Sequence, residues 1–197
     1  LKSGSPPGKR GPKELNLADE GGERRMAEQL IDYWKTHKET RFEDFEGKPG
    51  RILNTRLPAG SDLLNGIVAI AEKHQIRSGI VSVCFGSLSK AEIRWEERTQ
   101  DGPRGDKRSD PRSLEGPIVF LSAQGKAGVP REGEPLIHMH GIVADTKGQV
   151  WGGHLFPGEN PTFSTMDVVI QEIEGIEFDK IFDPETNSAL LRARKIA

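Results

Sequence analysis

The sequence is poor in the residues that build disulfide-linked and membrane-spanning proteins. It contains 1 cysteine in 197 residues, Cys84, so an intrachain disulfide framework is excluded and a reducing compartment is expected. Hydrophobic residues make up 34% of the chain, and no apolar run approaches the roughly 20 residues that span a bilayer. The first residues are polar, without the apolar stretch of a signal peptide. We therefore expect a soluble, cytoplasmic protein that has no membrane partner.

Several common catalytic signatures are also missing. The sequence has no phosphate-binding P-loop, no dinucleotide-binding glycine fingerprint and no Ser/His/Asp order of a hydrolase triad. Cys84 lies between Val83 and Phe85, and this apolar setting predicts a buried strand residue rather than a nucleophile. The sequence therefore does not indicate nucleotide-dependent or covalent catalysis of these types.

Charge is distributed unevenly along the chain, although the formal net charge is only −2. Residues 1–13 contain no acidic residue and four basic ones, namely Lys2, Lys9, Arg10 and Lys13. This segment carries +4, whereas residues 14–50 carry −4 and the remainder carries −2. Duplex DNA is bound through clustered cations that replace condensed counterions. Any affinity for nucleic acid is therefore predicted to reside in the N-terminal segment or in a local patch.

The chain is predicted to have three parts. Residues 1–22 are rich in proline and glycine, and they predict a flexible basic arm. Residues 23–50 predict a helical extension, because apolar residues recur at four-residue spacing from Met26 to Trp34. The stripe that they form must pack on its own domain or on a neighbouring subunit. Residues 51–197 predict a single compact domain.

The compact domain is predicted to be α+β, with a mostly antiparallel sheet packed on one main helix. Gly60 or Ser61 would cap that helix, whose apolar residues follow helical spacing. A turn at residues 86–87 is expected to separate two strands, and the mixed charges, glycines and prolines of residues 96–115 predict a long solvated loop. Extended patterns place the strands at residues 51–57, 80–85, 91–95, 117–122, 137–143, 150–156, 165–173, 176–182 and 189–193.

Three of the five histidines lie within 17 residues, and they are the most informative feature of the chain: His138, His140 and His154. The residues between them predict a β-hairpin with its turn at residues 145–148. Side chains alternate in a strand, so His138 and His140 share a face. Three neutral imidazoles on one face could hold a divalent metal, zinc in the first place, and leave coordination positions open for water or substrate.

The position of His154 depends on the geometry of the turn, and two geometries are open. A two-residue loop at residues 146–147 would place His154 opposite Met139, on the other face of the sheet. Two glycines at residues 152–153 could add a bulge that changes the parity again.

The alternative to a metal site is three separate histidines that pack or form hydrogen bonds.

The second geometry shifts the register by one residue. If Gly148 adopts the left-handed conformation of a type I turn with a bulge, Asp145 pairs with Gln149. His140 then faces His154 directly. The remaining histidine is diagonally adjacent, at roughly 7–8 Å on backbone spacing, and the three imidazoles can share one ion.

Several segments, taken in order, resemble the PPC domain, which is conserved between plants and prokaryotes. The most specific are the two histidine segments at residues 136–140 and 148–155, and the others are residues 56–64, 76–80, 85–88 and 116–125. The resemblance covers roughly residues 51–191. It implies a compact fold with an antiparallel sheet, assembly as a homotrimer, and a DNA-binding or regulatory function.

In plant members of that family the domain follows an AT-hook, a short basic segment in which Arg-Gly-Arg enters the minor groove. The corresponding segment here is Lys9-Arg10-Gly11-Pro12-Lys13, so Lys9, Arg10 and Lys13 would be the nucleic-acid contacts. Pro12 stands where the second arginine should be, which removes a charge from the narrowed A·T groove. The alternative is a basic arm without a role in DNA binding.

A second resemblance indicates an enzyme as the alternative function. The PPC fold is similar to that of acetolactate decarboxylase, which holds zinc with a His-x-His pair and a later histidine. This likeness implies a metal-dependent enzyme that acts on a small organic molecule through His138, His140 and His154. The charged residues nearest to them in the sequence are each predicted to be solvated loop residues rather than acid or base catalysts: Arg131, Glu132, Glu134, Asp145 and Glu159.

Overall fold

A computed structural model describes residues 42–98, 106–183 and 188–196, and within these ranges it does not describe the side chains of residues 98, 106 and 107. The predicted basic arm, with Lys9, Arg10 and Lys13, lies outside the described residues, as does most of the predicted helical extension. Contacts divide the chain into two units, Leu1–Asp44 and Phe45–Ala197. All the helices and strands described below lie in the second unit.

One helix is present among the described residues, α1 (Leu63–Lys73). Its cap is Asp62 rather than the expected Gly60 or Ser61, and the Asp62 side chain accepts a hydrogen bond from the N–H of Asn65 at 2.9 Å. The helix buries the stripe Leu63, Leu64, Ile67 and Ala71. No helix within the described ranges combines the length and the apolar character that crossing a bilayer requires.

Ten strands account for most of the described residues. They are β1 (Lys48–Pro58), β2 (Gly79–Arg94), β3 (Glu96–Arg98), β4 (Asp106–Arg108), β5 (Arg112–Gly128), β6 (Leu136–Ala144), β7 (Val150–Leu155), β8 (Thr162–Glu174), β9 (Ile176–Asp183) and β10 (Ser188–Lys195). The described structure is therefore mostly β with one short helix, rather than the α+β domain with a main helix that was expected. The reason is that bulges extend several strands through positions where breaks were predicted.

Six strands form an antiparallel sheet in the order β1-β8-β2-β5-β6-β7. The end of β2 also pairs with β7, with Ile93 opposite Leu155 and Arg94 opposite His154. The sheet therefore curls until β2, β5, β6 and β7 close on one another, as in a small barrel. Two shorter ribbons, β3–β4 and β9–β10, complete the described strands.

Strand β2 shows why a glycine was misread as a turn. It continues through Gly86, with a register shift against β8 between Gly86 and Leu88. A Cβ at Gly86 would lie 2.2 Å from the carbonyl oxygen of Thr165, so the glycine is required because two strands approach closely. The turn predicted at residues 86–87 is therefore wrong, and one long strand replaces two short ones.

The long loop predicted at residues 96–115 is also wrong in part. Strands β3 and β4 pair with each other, with Glu96 opposite Arg108, and β5 begins at Arg112. The Ser109 hydroxyl accepts a hydrogen bond from the N–H of Trp95 at 3.1 Å, which joins the ends of this ribbon. Residues 99–105 lie outside the described part of the chain.

The core lies between the curled sheet and α1. Its largest fully buried side chains include Phe120, Met139 and Leu155, which come from β5, β6 and β7. Cys84 is 2% exposed, and burial raises the pKa of its thiol to about 12. The prediction of a buried, unreactive strand residue is confirmed.

Candidate metal site

The turn between β6 and β7 is the bulged type I turn. The N–H of Asp145 donates to the carbonyl oxygen of Gln149 at 2.9 Å, and the N–H of Gly148 donates to that of Asp145 at 2.9 Å. Gly148 has a φ of 75°, the left-handed conformation that this turn requires. The two-residue loop is therefore excluded, and the alternative register is confirmed.

The Asp145 carboxylate stabilises this turn by accepting three hydrogen bonds. One oxygen accepts hydrogen bonds from the N–H groups of Lys147 and Gln149, at 2.8 and 2.9 Å. The other accepts one from the indole of Trp151 at 3.0 Å. The Trp151 bond is the largest of the interactions that lower the pKa of Asp145 below its usual value. This residue was expected to be a solvated loop residue, and the structure shows that it organises the hairpin.

Strands β6 and β7 keep one register along their length. Met139 is opposite Leu155, His140 opposite His154, and Gly141 opposite Gly153, without a bulge. The two glycines at residues 152–153 therefore do not change the parity. A Cβ at Gly153 would lie 2.3 Å from the carbonyl oxygen of Arg94, so this glycine is needed for the contact between β7 and β2.

The register brings the three histidines together. The Nε2 atoms of His138 and His140 are 3.1 Å apart, and the three ring centroids are separated by 4.8 to 5.3 Å. One nitrogen of each ring lies within 4.8 Å of the other two. Nitrogens that share a tetrahedral zinc at 2.0–2.1 Å lie about 3.3 Å from each other, so the rings are arranged to close on one ion with a shift of about 1 Å.

The surroundings of His154 and His138 favour their neutral forms. Burial is the main cause that lowers the pKa of His154 to about 4, and the positive charge of Arg108 is the next. Burial also lowers the pKa of His138, followed by the effects of His140, Arg108 and Lys126. Neutral imidazole is the form that binds metals. The Nδ1 atom of His154 is buried and has no hydrogen-bond partner among the described residues, as expected of a ring nitrogen meant for a ligand.

Two open cavities adjoin the histidines. One, of 690 Å³, is lined by His138 and His140 together with residues of β2, β5 and β10. The other, of 670 Å³, is lined by His138 and His154, and by Arg108 and Phe156. The two cavities share His138 and Leu191, so any ion held by the three rings would be accessible from both sides.

Cationic and aromatic groups around the site were missed by the sequence interpretation. The ring of Phe156 lies 4.5 Å from that of His154, and the Arg94 guanidinium is 4.4 Å from the Phe156 centroid. Arg108 lies 5.6 Å from the same centroid. No local motif marks these residues, because the pairings of β2 with β7 and of β3 with β4 bring them to the site.

Two of the charged residues nearest in sequence to the histidines have partners away from the site. Glu159 pairs with Lys90 at 3.3 Å, and the N–H of Arg131 donates to the carboxylate of Glu177 at 3.1 Å. None of the five charged neighbours named above lines either cavity in the part of the chain that the structure describes.

Comparison with known proteins identifies a family to which this chain is similar. Residues 44–174 match the profile of the Plants and Prokaryotes Conserved (PCC) domain. The chain is 30% identical over 147 residues to the bifunctional protein GlmU of a Synechococcus species, an alignment that covers 75% of this chain and 21% of that protein. The chain thus spans about a fifth of the length of the curated relatives it matches.

Three solved structures that are each 24% identical in sequence to this chain share its fold. A plant- and prokaryote-conserved (PPC) protein from Pyrococcus horikoshii superposes with a TM-score of 0.62 and 24% identity, covering 79% of this chain and 100% of that one. A metal-containing protein from Archaeoglobus fulgidus gives 0.64 and 24%, with coverage of 77% and 99%. A protein proposed to bind DNA, from Ralstonia eutropha, gives 0.57 and 24%, with coverage of 71% and 89%.

Proposed function

Since the chain belongs to the Plants and Prokaryotes Conserved (PCC) domain family, we propose that it is a homotrimeric DNA-binding or regulatory protein that carries a divalent metal, zinc in the first place, on His138, His140 and His154. The observation that carries the metal assignment is the gathering of three ring nitrogens within 4.8 Å on one hairpin. The similarity in fold to a metal-containing protein supports it. Among the divalent ions, zinc suits three imidazoles with an open fourth position.

The metal assignment is tested by elemental analysis of protein purified without a nickel column. We expect about one zinc per chain in the wild type. The triple variant His138→Ala, His140→Ala and His154→Ala should lose it, whereas His74→Ala, which changes a histidine at the end of α1, should retain it. Equal metal content in the wild type and the triple variant would exclude this cluster.

The outer face of the sheet supports the proposal of a trimer. Apolar side chains that are 41 to 54% exposed continue across three neighbouring strands, namely Val83 and Phe85 of β2, Val119 and Leu121 of β5, and Ile142 of β6. A contiguous apolar surface of this kind is typical of an interface. We assign it to two further copies of this chain, which agrees with the assembly that the resemblance to PPC proteins implies.

Sedimentation equilibrium tests this assembly. The wild type should have a mass of about 65 kDa, three times the 21.7 kDa of one chain. Phe85→Glu places a charge in the interface and should give monomers. Phe182→Glu is the matched control, because Phe182 is 60% exposed on the separate β9–β10 ribbon and should stay trimeric. A monomeric wild type would refute the assignment.

The DNA contact is assigned to Lys9, Arg10 and Lys13. They belong to a segment with a charge of +4, whereas the rest of the chain is acidic. Three arms on one trimer would raise the effective concentration of weak cationic contacts on one duplex. The lone, buried cysteine is compatible with the proposed cytoplasmic location.

An anisotropy titration with an A·T-rich duplex at two salt concentrations tests this role. We expect binding at low salt that weakens as salt rises, because counterions are released at each phosphate contact. The triple variant Lys9→Ala, Arg10→Ala and Lys13→Ala should abolish it, whereas Lys147→Ala, a lysine in the hairpin turn, should not. Failure of the full chain to bind at low salt would remove the DNA role.

A second candidate is a metal-dependent enzyme that acts on a small organic molecule. The two open cavities of 690 and 670 Å³ beside the histidines favour it, because ligand pockets range from about 300 to 1,000 Å³. A metal on three imidazoles would supply a Lewis acid, which polarises a carbonyl group or activates water. Incubation of zinc-loaded protein with a panel of 2-oxo and 2-hydroxy acids, followed by NMR, tests it. Consumption by the wild type and not by His154→Ala supports this candidate, and equal stability of the acids in both samples contradicts it.

A further inference from the structure

The proposed metal site leaves a positive charge that its ligands do not balance. Its ligand set consists of three neutral imidazoles, so a divalent ion bound there would keep its +2 charge. One cation, Lys126, lines the 690 Å³ cavity beside His138 and His140. Like charges gathered in this way favour an anionic ligand over a neutral one.

Lys126 is built into the same face of the sheet as the histidines. In the β5–β6 ladder Lys126 is directly opposite His138, and Gln124 is directly opposite His140. Side chains in such pairs lie next to each other, with Cβ atoms about 5 Å apart. The Lys126 ammonium lies 5.3 Å from the centroid of Phe178, and it forms no ion pair with any carboxylate whose side chain the structure describes.

The 690 Å³ cavity has a polar wall and an apolar wall. His138, His140, Lys126, Gln124 and Ser82 provide the polar groups, and the apolar wall consists of the side chains of Ile80 and Leu191. Ile80 is 38% exposed, although it is a large aliphatic residue. A ligand that is charged at one end and apolar at the other matches both walls.

We propose that this cavity binds a small organic carboxylate, whose charged group lies between the metal and the Lys126 ammonium. Its apolar body contacts Ile80 and Leu191. The Gln124 amide lines the cavity as a hydrogen-bond donor for the second carboxylate oxygen or for a neighbouring hydroxyl group, whereas the Ser82 hydroxyl already donates to the carbonyl oxygen of Val169 at 3.4 Å. This assignment rests on the proposed metal site and names its class of ligand.

The chemistry of the cavity favours a carboxylate over an inorganic phosphate. A single ammonium matches one carboxylate charge, whereas phosphate sites in proteins commonly use arginine forks or several backbone N–H groups. The apolar wall would remain without a partner if phosphate were bound. Arg108 lies on the other side of the histidines, in the 670 Å³ cavity, so it does not contribute a second cation to this one.

Cobalt-substituted protein tests the inference, because the visible spectrum of Co²⁺ reports changes in its coordination. Butanoate and the neutral butanamide are the two probes. We expect butanoate to alter the spectrum at saturable concentrations and butanamide to have no effect. Lys126→Met should weaken butanoate binding by at least about tenfold, because it removes a charge-assisted contact. Lys126→Arg should retain most of the affinity, and the matched control Lys147→Met should be unchanged.

The cobalt content of each variant separates the two proposals. Lys126→Met should bind as much cobalt as the wild type, because Lys126 is not a ligand. If the wild type binds no cobalt, the metal site itself is refuted. If cobalt binds but butanoate and butanamide act alike, or Lys126→Met binds butanoate as the wild type does, the carboxylate assignment is overturned. Tighter binding of inorganic phosphate than of butanoate would also overturn it.

Discussion

The Asp145 carboxylate accepts a hydrogen bond from the Trp151 indole at 3.0 Å, and this contact joins the hairpin turn to the strand that carries His154. His154 follows Trp151 by three residues. The same carboxylate binds two backbone N–H groups of the turn, at Lys147 and Gln149. The position of His154, one of the three proposed ligands, therefore depends on the Asp145 side chain, which is not itself a proposed ligand.

Removing the Asp145 carboxylate should weaken metal binding. Asp145→Ala leaves two turn N–H groups and the indole without their acceptor, so β7 is held less firmly against β6. Partners that orient ligands commonly change metal affinity by about 10- to 100-fold, and we expect the lower end of that range. Competition with a chromophoric chelator measures it. Trp151→Phe, which removes only the indole bond, should have a smaller effect, and equal zinc affinity in all three proteins would contradict this role.

Gly153 and Gly152 should respond very differently to the same substitution. Gly153→Ala places a Cβ 2.3 Å from the Arg94 carbonyl oxygen, which must open the pairing between β2 and β7. We expect a loss of about 2–3 kcal/mol in the free energy of unfolding, in the range of overpacked sites. Gly152→Ala meets nothing closer than 3.4 Å and should cost under about 1 kcal/mol. Urea denaturation of both variants checks this, and similar midpoints would refute the argument.

Asn160 should be among the most sensitive polar residues. It is fully buried, its amide donates to the carbonyl oxygen of Phe156 at 2.9 Å, and its Oδ1 atom accepts the N–H of Glu92 at 3.2 Å. Asn160→Ala leaves both backbone groups unsatisfied and should lower the free energy of unfolding by about 2–3 kcal/mol. The exposed Asn54 on β1 provides the control, because Asn54→Ala should change stability by less than about 0.5 kcal/mol. Chemical denaturation followed by tryptophan fluorescence compares them.

The ion pair between Arg51 and Glu172 should contribute a pH-dependent part of the stability. The Arg51 guanidinium donates to both oxygens of Glu172, at 2.7 and 3.0 Å, and this holds the pKa of Glu172 below its usual 4.5. A lowered pKa in the folded state stabilises the protein above pH about 4.5, and the contribution is lost as the pH falls through the folded pKa. Arg51 is 51% exposed, so solvent screening limits the effect.

The measurement is the free energy of unfolding of Glu172→Gln relative to the wild type at two pH values. At pH 7 we expect a loss of about 0.5–1 kcal/mol. As the pH falls below about 4.5 and the carboxylate takes up protons, the difference should shrink. A difference that persists unchanged at the lower pH would show that packing, rather than charge, accounts for it.

The sequence predicted the histidine hairpin because its signals are local. A glycine at position 148 and an aspartate at position 145 favour one turn, and strand alternation then determines the faces of His138 and His140. The helix at Leu63–Lys73 was predicted for the same reason, from the spacing of its apolar residues. These elements depend on residues that are neighbours along the chain.

The surroundings of the site could not be predicted because they depend on pairings distant in sequence. Arg94 reaches the ring of Phe156 only because β2 pairs with β7, and Lys126 reaches His138 only because β5 and β6 align in one register. Gly86 shows a different limit, since a glycine in an extended pattern is equally compatible with a turn and with a bulge. The approach of Thr165, 79 residues later, decides between them.

The pairing of β2 with β7 also affects what other chains can do at the site. A strand that ends a sheet offers unpaired N–H and C=O groups to foreign peptides, and this is the usual starting point of aggregation and of strand addition. Arg94 and Ile93 cover those groups of β7 at His154 and Leu155. Foreign peptide backbones are therefore kept from adding edge-on to β7 at His154 and Leu155.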